Sequence, residues 1–267
     1  MSIISIFSLL LGAIFGSFVN VVVWRLPRGQ SIVKPRSYCP KCRHQIKWQQ
    51  NIPIFSWLLL RGKCRFCSEP IPSRYIFVEV LSSLLFLVSI YSNPSSFELI
   101  PSSIVLIFGW ILLITLLTIS IIDLEHLWIP PSIIFFGILN GFIFLLISSL
   151  ITYSSFNYLI LIDHLLASLI GYFIFAFISK FGSFFYKKPV LGMGDAKLCS
   201  LLGIWLGSYG VLLSIYLTFI ISGICSIILI SIGKLSFGKP FALGPFISLS
   251  GFAVWLLGNK FLINMFF

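Results

Sequence analysis

Two aspartates, Asp123 and Asp195, stand at the edges of long apolar runs in a chain that has only seven acidic residues. Ile121-Ile122-Asp123-Leu124-Glu125 surrounds the first, and Gly192-Met193-Gly194-Asp195-Ala196-Lys197 surrounds the second. A carboxylate at the end of a membrane helix is costly unless it is paired, hydrated or used. Two close carboxylates cannot both ionise cheaply and therefore share a proton. The ionised member can then take a proton from water while the protonated member hydrogen-bonds a scissile carbonyl. Gly192 and Gly194 suit such a site, because residues without a Cβ permit irregular backbone and close substrate approach. Lys197 can stabilise a carboxylate or anchor the helix at the interface. The bland alternative is that each aspartate caps a helix end or sits in a solvated loop.

A second set of reactive residues lies between the first two apolar runs. Cys39-Pro40-Lys41-Cys42 and Cys64-Arg65-Phe66-Cys67 are two C-x2-C pairs with 21 residues between the inner cysteines. Cys39, Cys42, Cys64 and Cys67 can offer four thiolates to one closed tetrahedral zinc. A segment of about 50 residues cannot bury much core and needs such a staple. Two disulfides, a redox pair or metal-free thiols are the competing readings. A reducing cytoplasm argues against structural disulfides, and a redox motif has no need to occur twice. His44 could substitute for one thiolate but reads first as a loop residue. Cys199 and Cys225 lie inside apolar runs and read as small packing residues.

The elements that must position these residues are membrane helices. With 58% hydrophobic and 9% charged residues over 267 positions, the chain is too apolar for a water-soluble domain. Apolar runs fall near 3–23, 75–92, 101–122, 131–151, 158–179, 196–209, 211–232 and 241–259, against the about 20 residues that a bilayer span needs; the sixth is short and runs almost directly into the seventh. The reading is an all-α polytopic membrane protein with about eight transmembrane helices, or seven if the sixth and seventh runs are one. It divides as 1–24, the first helix; 25–74, a small cytoplasmic metal-binding loop domain; and 75–267, a transmembrane domain carrying the aspartates. The first run lacks a basic n-region, so no cleavable signal peptide is expected.

The net charge of +11 is concentrated in the 25–74 loop and around the 180–197 and 234–239 connections. That is the positive-inside pattern; it puts the N-terminus outside and the loop in the cytoplasm. Topology thus accounts for the basic charge without nucleic acid. It also brings Asp123 and Asp195, 72 residues apart in sequence, to the same cytoplasmic interface. Glu125 and His126 are expected in a hydrated turn. Asp163 and His164 are expected to anchor the outer end of the fifth helix.

Gly16-Ser17-Phe18-Val19-Asn20 through Trp24-Arg25-Leu26-Pro27-Arg28-Gly29 closely resembles the N-terminus of the bacterial type IV prepilin peptidases. The resemblance continues through Pro35-Arg36-Ser37, both cysteine pairs, Asn51-Ile52-Pro53, Ser56-Trp57-Leu58, Arg61-Gly62-Lys63, Arg74-Tyr75 with Glu79, Ile122-Asp123-Leu124, the Gly192–Leu198 stretch and Gly244-Pro245-Phe246. It implies a bifunctional membrane aspartic protease of the bacterial inner membrane. Such an enzyme would remove the basic leader of prepilins or pseudopilins on the cytoplasmic face, then N-methylate the new N-terminal residue from S-adenosylmethionine. Catalysis would fall to Asp123 and Asp195 and metal binding to the four cysteines, with Gly62 and Glu79 the candidates for the methyl-donor site. No glycine-rich dinucleotide fingerprint is present to locate that site. One departure is Pro130-Pro131, where relatives often carry Pro-Asp. A proton-coupled transporter and a non-enzymatic zinc-bearing assembly factor are the alternatives. No internal repeat of the transporter kind is evident.

Overall fold

The computed structural model describes residues 3–91, 102–152, 158–187, 191–236 and 241–258. Its elements are α1 (Ile3–Arg25), the short α2 (Phe55–Leu59), α3 (Arg74–Tyr91), α4 (Ser102–His126), α5 (Pro131–Thr152), α6 (Tyr158–Tyr186), α7 (Met193–Ser231) and α8 (Gly244–Leu257). Among the described residues there is no strand, only two isolated antiparallel bridges in the cysteine loop. α1, α3, α4, α5, α6 and α7 are long and apolar enough to cross a membrane, and α8 is shorter. Large side chains such as Phe173, Phe177, Phe181 and Phe184 on α6 lie exposed, as expected where lipid, not water, is the surrounding medium. The protein is a multi-pass membrane protein.

The chain separates into two compact units, Met1–Tyr91 and Ser92–Phe267. In the first, α1 packs along α3. Gly12 and Gly16 make a small-xxx-small face on α1, and a Cβ at Gly12 would lie 2.6 Å from the Ser83 backbone. Small residues of this kind let membrane helices approach closely. The Ser82 hydroxyl crosses the seam to the Gly12 carbonyl at 2.7 Å. The compact unit therefore holds α1, the cysteine loop and α3 together, with its limit at Tyr91.

The second unit is built around α7, which packs against α5, α6 and α8. Its core holds Leu112, Ile119, Phe144, Phe175, Leu198, Leu202, Trp205 and Ile247, each at most 1% exposed. At 39 residues α7 would be about 58 Å long if straight, nearly twice a ~30 Å hydrocarbon core. It is not continuous: Gly207 adopts φ 70°, ψ −177°, a region open essentially to glycine alone. The runs expected at 196–209 and 211–232 are thus the two arms of one broken helix, with the break three residues earlier than the sequence suggested.

The break has partners. In an unbroken helix the Ser208 N–H would bond to the Ile204 carbonyl. Instead Ser208 N–H donates to Asp163 Oδ2 at 3.2 Å, and His164 Nδ1 lies 2.8 Å from the Ile204 oxygen. Adjacent residues of α6 satisfy both halves of the lost bond. Asp163 and His164, expected at the outer end of this helix, thus cap the break, where an unpaired buried backbone group would be costly.

Two further boundaries differ from expectation. α4 runs on through Glu125 and His126 rather than ending near 122, so these residues form its last turn; Leu127, at φ 51°, and Pro130 then stop it. α6 extends to Tyr186, seven residues beyond the expected 179.

Candidate functional site

Asp123 lies in the last turn of α4 and is 6% exposed; Asp195 lies in the first turn of α7 and is 8% exposed. The fold brings them within electrostatic reach of each other. Asp195 occupies a helix N-terminus, where the backbone dipole favours an anion, and its own N–H bonds to the Gly192 carbonyl at 3.1 Å. Asp123 is at a helix C-terminus, where the dipole is adverse, and draws compensation from elsewhere. Its Oδ2 accepts the Gly244 N–H at 2.9 Å, one of the free donors at the start of α8.

The glycines of the sequence motif serve distinct ends. A Cβ on Gly194 would come to 3.0 Å from Ile129, so this residue lets the start of α7 tuck under the α4–α5 connection. Gly192 faces the Asp195 carboxylate, its would-be Cβ 3.4 Å from Oδ2. The Leu191 carbonyl is tied to the Ser179 hydroxyl of α6 at 2.8 Å, which fixes the entry to the turn. Lys197 is exposed and forms no ion pair among the described residues. Gly244 was not among the residues singled out for this site. A Cβ there would fall 2.7 Å from Asp123 Oδ2; the Gly-Pro pair opening a helix was the only available signal.

The four cysteines converge. All four sulfurs lie within 4.8 Å of one another, and Cys39 and Cys67 are 3.8 Å apart. Tetrahedral zinc with ~2.3 Å bonds requires an edge of about 3.8 Å, so the donor set fits a metal site; none of the cysteines is disulfide-bonded. The two knuckles repeat one geometry. Cys39 and Cys64 each donate N–H to the carbonyl five residues on, His44 and Glu69, and each accepts the N–H of a left-handed residue, Arg43 and Ser68. Across them, His44 stacks on Phe66 with centroids 3.5 Å apart, and Lys41 pairs with Glu69. Glu69 holds the Lys41 ammonium above its usual range, first by hydrogen bonding and then by charge. The N–H groups of Cys67 and Phe66 bring the Cys64 thiol down to about 7. At Cys67 the Glu69 N–H pulls down, but desolvation and the neighbouring sulfurs outweigh it and push the thiol up to about 12. A cation at the centre removes that mutual penalty.

Beside the knuckles the first unit encloses a cavity of about 220 Å3 lined by Asn20, Trp24, Tyr38, Trp57, Tyr75 and Glu79 among others. Glu79 is 7% exposed. It accepts the Ile54 N–H at 2.7 Å and bonds the Ser17 hydroxyl. Ile54 has φ 65°, ψ −55°, with Phe55 N–H closing back to Pro53 oxygen at 2.6 Å; this is the rare, strained hand of γ-turn. Gly62, at φ 66°, does not line the cavity but underlies its wall, since a Cβ would meet the Trp57 ring at 2.8 Å. Asn20 Oδ1 is buried with no hydrogen-bond partner, an unmet acceptor suited to a polar ligand group.

Membrane-crossing helices presenting two buried aspartates at their ends, joined in one chain to a four-thiol loop, define a polytopic membrane protein equipped for acid–base chemistry. Residues 10–93 match the bacterial peptidase A24 N-terminal domain, and residues 110–229 match the type IV leader peptidase family. The chain belongs to that family. It is 36% identical over 212 residues to a prepilin leader peptidase/N-methyltransferase of Myxococcus xanthus, covering 78% of this chain and 59% of that protein. It is 33% identical to a type 4 prepilin-like proteins leader peptide-processing enzyme of Escherichia coli, covering 94% and 93% of the two chains. A Neisseria gonorrhoeae prepilin leader peptidase/N-methyltransferase is 29% identical, covering 94% and 89%. No solved structure matches.

Proposed function

We propose that this inner-membrane enzyme cleaves the basic leader of type IV prepilins or pseudopilins and then N-methylates the residue newly exposed. The observation that supports the reading is that Asp123 and Asp195, buried at the ends of α4 and α7, lie within electrostatic reach of each other, with one Asp123 oxygen pinned by Gly244 N–H. One carboxylate of the dyad takes a proton from water as it attacks, and the other hydrogen-bonds the scissile carbonyl oxygen. Gly192 gives the substrate backbone room beside the Asp195 carboxylate, and Gly194 supports the site by letting Ile129 pack against the head of α7. The basic loop is cytoplasmic and the N-terminus outside, which the charge distribution supports.

Cys39, Cys42, Cys64 and Cys67 hold zinc, which closes the loop as a structural tetrahedron. S-adenosylmethionine supplies the methyl group when bound. The residues toward it are Glu79, which faces the cavity, and Gly62, which acts by seating Trp57. Bound lipid and the apolar helix of the substrate are the other partners of the membrane face.

The test uses the purified full chain in detergent, a prepilin, S-adenosylmethionine, and the variants Asp123→Asn and Asp195→Asn. The wild type releases the leader and adds the mass of one methyl group; neither variant cleaves, although both remain membrane-inserted. Near-normal processing by either variant sinks the dyad assignment.

A further inference from the structure

Glu79 is a carboxylate nine-tenths buried, and among the described residues no basic side chain pairs with it. Its two hydrogen bonds come from neutral donors, Ile54 N–H and Ser17. A buried carboxylate without a counter-charge is costly, and here it also clamps a β-branched residue in a strained turn. Asn20, 1% exposed, lines the same cavity. Its Nδ2 donates to the Tyr75 carbonyl at 3.0 Å, which fixes the amide orientation and makes the orphan atom the acceptor Oδ1. The cavity thus combines one anion without a counter-charge and one unmet acceptor; Glu69, which also lines it, is paired with Lys41. Of the two guanidiniums that line it, Arg25 is turned to the carbonyls of Ser31, Ile32 and Arg36 and Arg65 is exposed. Trp24, Trp57, Tyr38 and Tyr75 supply aromatic wall; Arg28, Arg25 and Arg74 already lie over the Trp24, Tyr38 and Tyr75 rings, 3.7, 5.8 and 4.9 Å from their centroids, and among the described residues Trp57 carries no such cation, which leaves its face to attract one.

We infer that Glu79 and Asn20 form the binding site for an aliphatic ammonium group in this cavity. The inference rests on the methyl-transfer reading above, which offers two sources of that chemistry: the α-ammonium of the methyl donor, or the N-terminal ammonium that leader removal exposes. The carboxylate of Glu79 takes the charge, Asn20 Oδ1 takes one N–H, and the aromatic side chains cover the carbon skeleton behind it.

The experiment compares wild-type full-length protein with Glu79→Gln, which keeps an acceptor for Ile54 N–H while removing the charge, and with Asn20→Leu, which removes the unmet acceptor at similar volume. Tryptophan fluorescence, to which Trp24 and Trp57 contribute, is titrated separately with S-adenosylmethionine and with phenylalanine amide. Methyl transfer is also measured on a peptide that already begins at the processed residue, so leader cleavage does not enter. Charge-assisted hydrogen bonds of this kind predict roughly tenfold to hundredfold weaker binding in Glu79→Gln. Weakened binding of S-adenosylmethionine assigns the ammonium to the donor. Unchanged donor binding with weaker phenylalanine amide binding and a raised peptide KM assigns it to the acceptor. Binding of both probes and methyl transfer within about twofold of wild type in both variants overturns the site. If the wild type transfers no methyl group yet binds a probe in a Glu79-dependent way, the methyl-transfer reading falls and the ammonium site stands. If it binds neither probe, both fall.

Discussion

At the scale of single residues, Gly244 shows how little space the dyad leaves. An added Cβ would stand 2.7 Å from Asp123 Oδ2, so Gly244→Ala must move either the carboxylate or the start of α8. Misplacement of a catalytic group by about 1 Å can cost on the order of a hundredfold in rate. Gly244→Ala is therefore expected to lower kcat for leader cleavage between about tenfold and a hundredfold while the protein still inserts; an unchanged kcat would remove Gly244 from the site. The cysteine loop carries a pH prediction. With Cys64 near 7, protons compete for this thiolate below that value, and metal binding must displace them. Because Cys67, pushed up to about 12, still holds its proton at pH 8, metal affinity should already fall with pH there and should fall more steeply below about 7, where Cys64 also takes up a proton, measured by competition with a colorimetric chelator. A slope that does not steepen below pH 7 would contradict the lowered Cys64 thiol.

At the scale of elements, the broken helix α7 separates the arm that carries Asp195 from the rest of the span. Gly207→Ala forces a side chain into backbone space reserved for glycine and sets its Cβ 2.8 Å from Asp163 Oδ2. A loss of about 1–3 kcal/mol or more is expected, read as a lowered Tm in detergent. Asp163→Asn, which retains an acceptor for Ser208 N–H, should be close to wild type, whereas Asp163→Ala leaves that donor unpaired and should cost about 1–3 kcal/mol. Equal stability of the Asn and Ala variants would show that the hydrogen bond contributes nothing. This break marks the limit of what was legible in the chain. The spans could be read because lipid demands uninterrupted apolar runs, and the two aspartates because they are exceptions to those runs. The break was misplaced because Leu206-Gly207-Ser208 looks locally unremarked, and its cap comes from a different helix. Gly244 carried no charge to draw notice. The cavity at Glu79 was hidden because four separate segments line it, and Gly62, chosen on resemblance, acts one layer behind it.

For the whole molecule, the chemistry divides between two compact units, with the thiol cluster and the Glu79 cavity in Met1–Tyr91 and the aspartates in Ser92–Phe267. Elemental analysis of the purified chain should find one zinc per polypeptide, absent from Cys39→Ser and Cys64→Ser. Metal loss should reduce methyl transfer more than leader cleavage, because the loop walls the cavity. Full methylation by a verified metal-free variant would count against structural zinc. The paired knuckles carry one more consequence. Their cross-links are unlike: Lys41 meets Glu69, and His44 meets Phe66. Were two copies of the first knuckle to share a metal between chains, Lys41 would face His44 in place of an acid; two copies of the second would set Phe66 against Glu69. Neither homotypic pairing reproduces the contacts of the native one. Were neighbouring copies in a membrane to trade thiolates around a metal, this asymmetry would favour each chain completing its own site over a metal-bridged dimer.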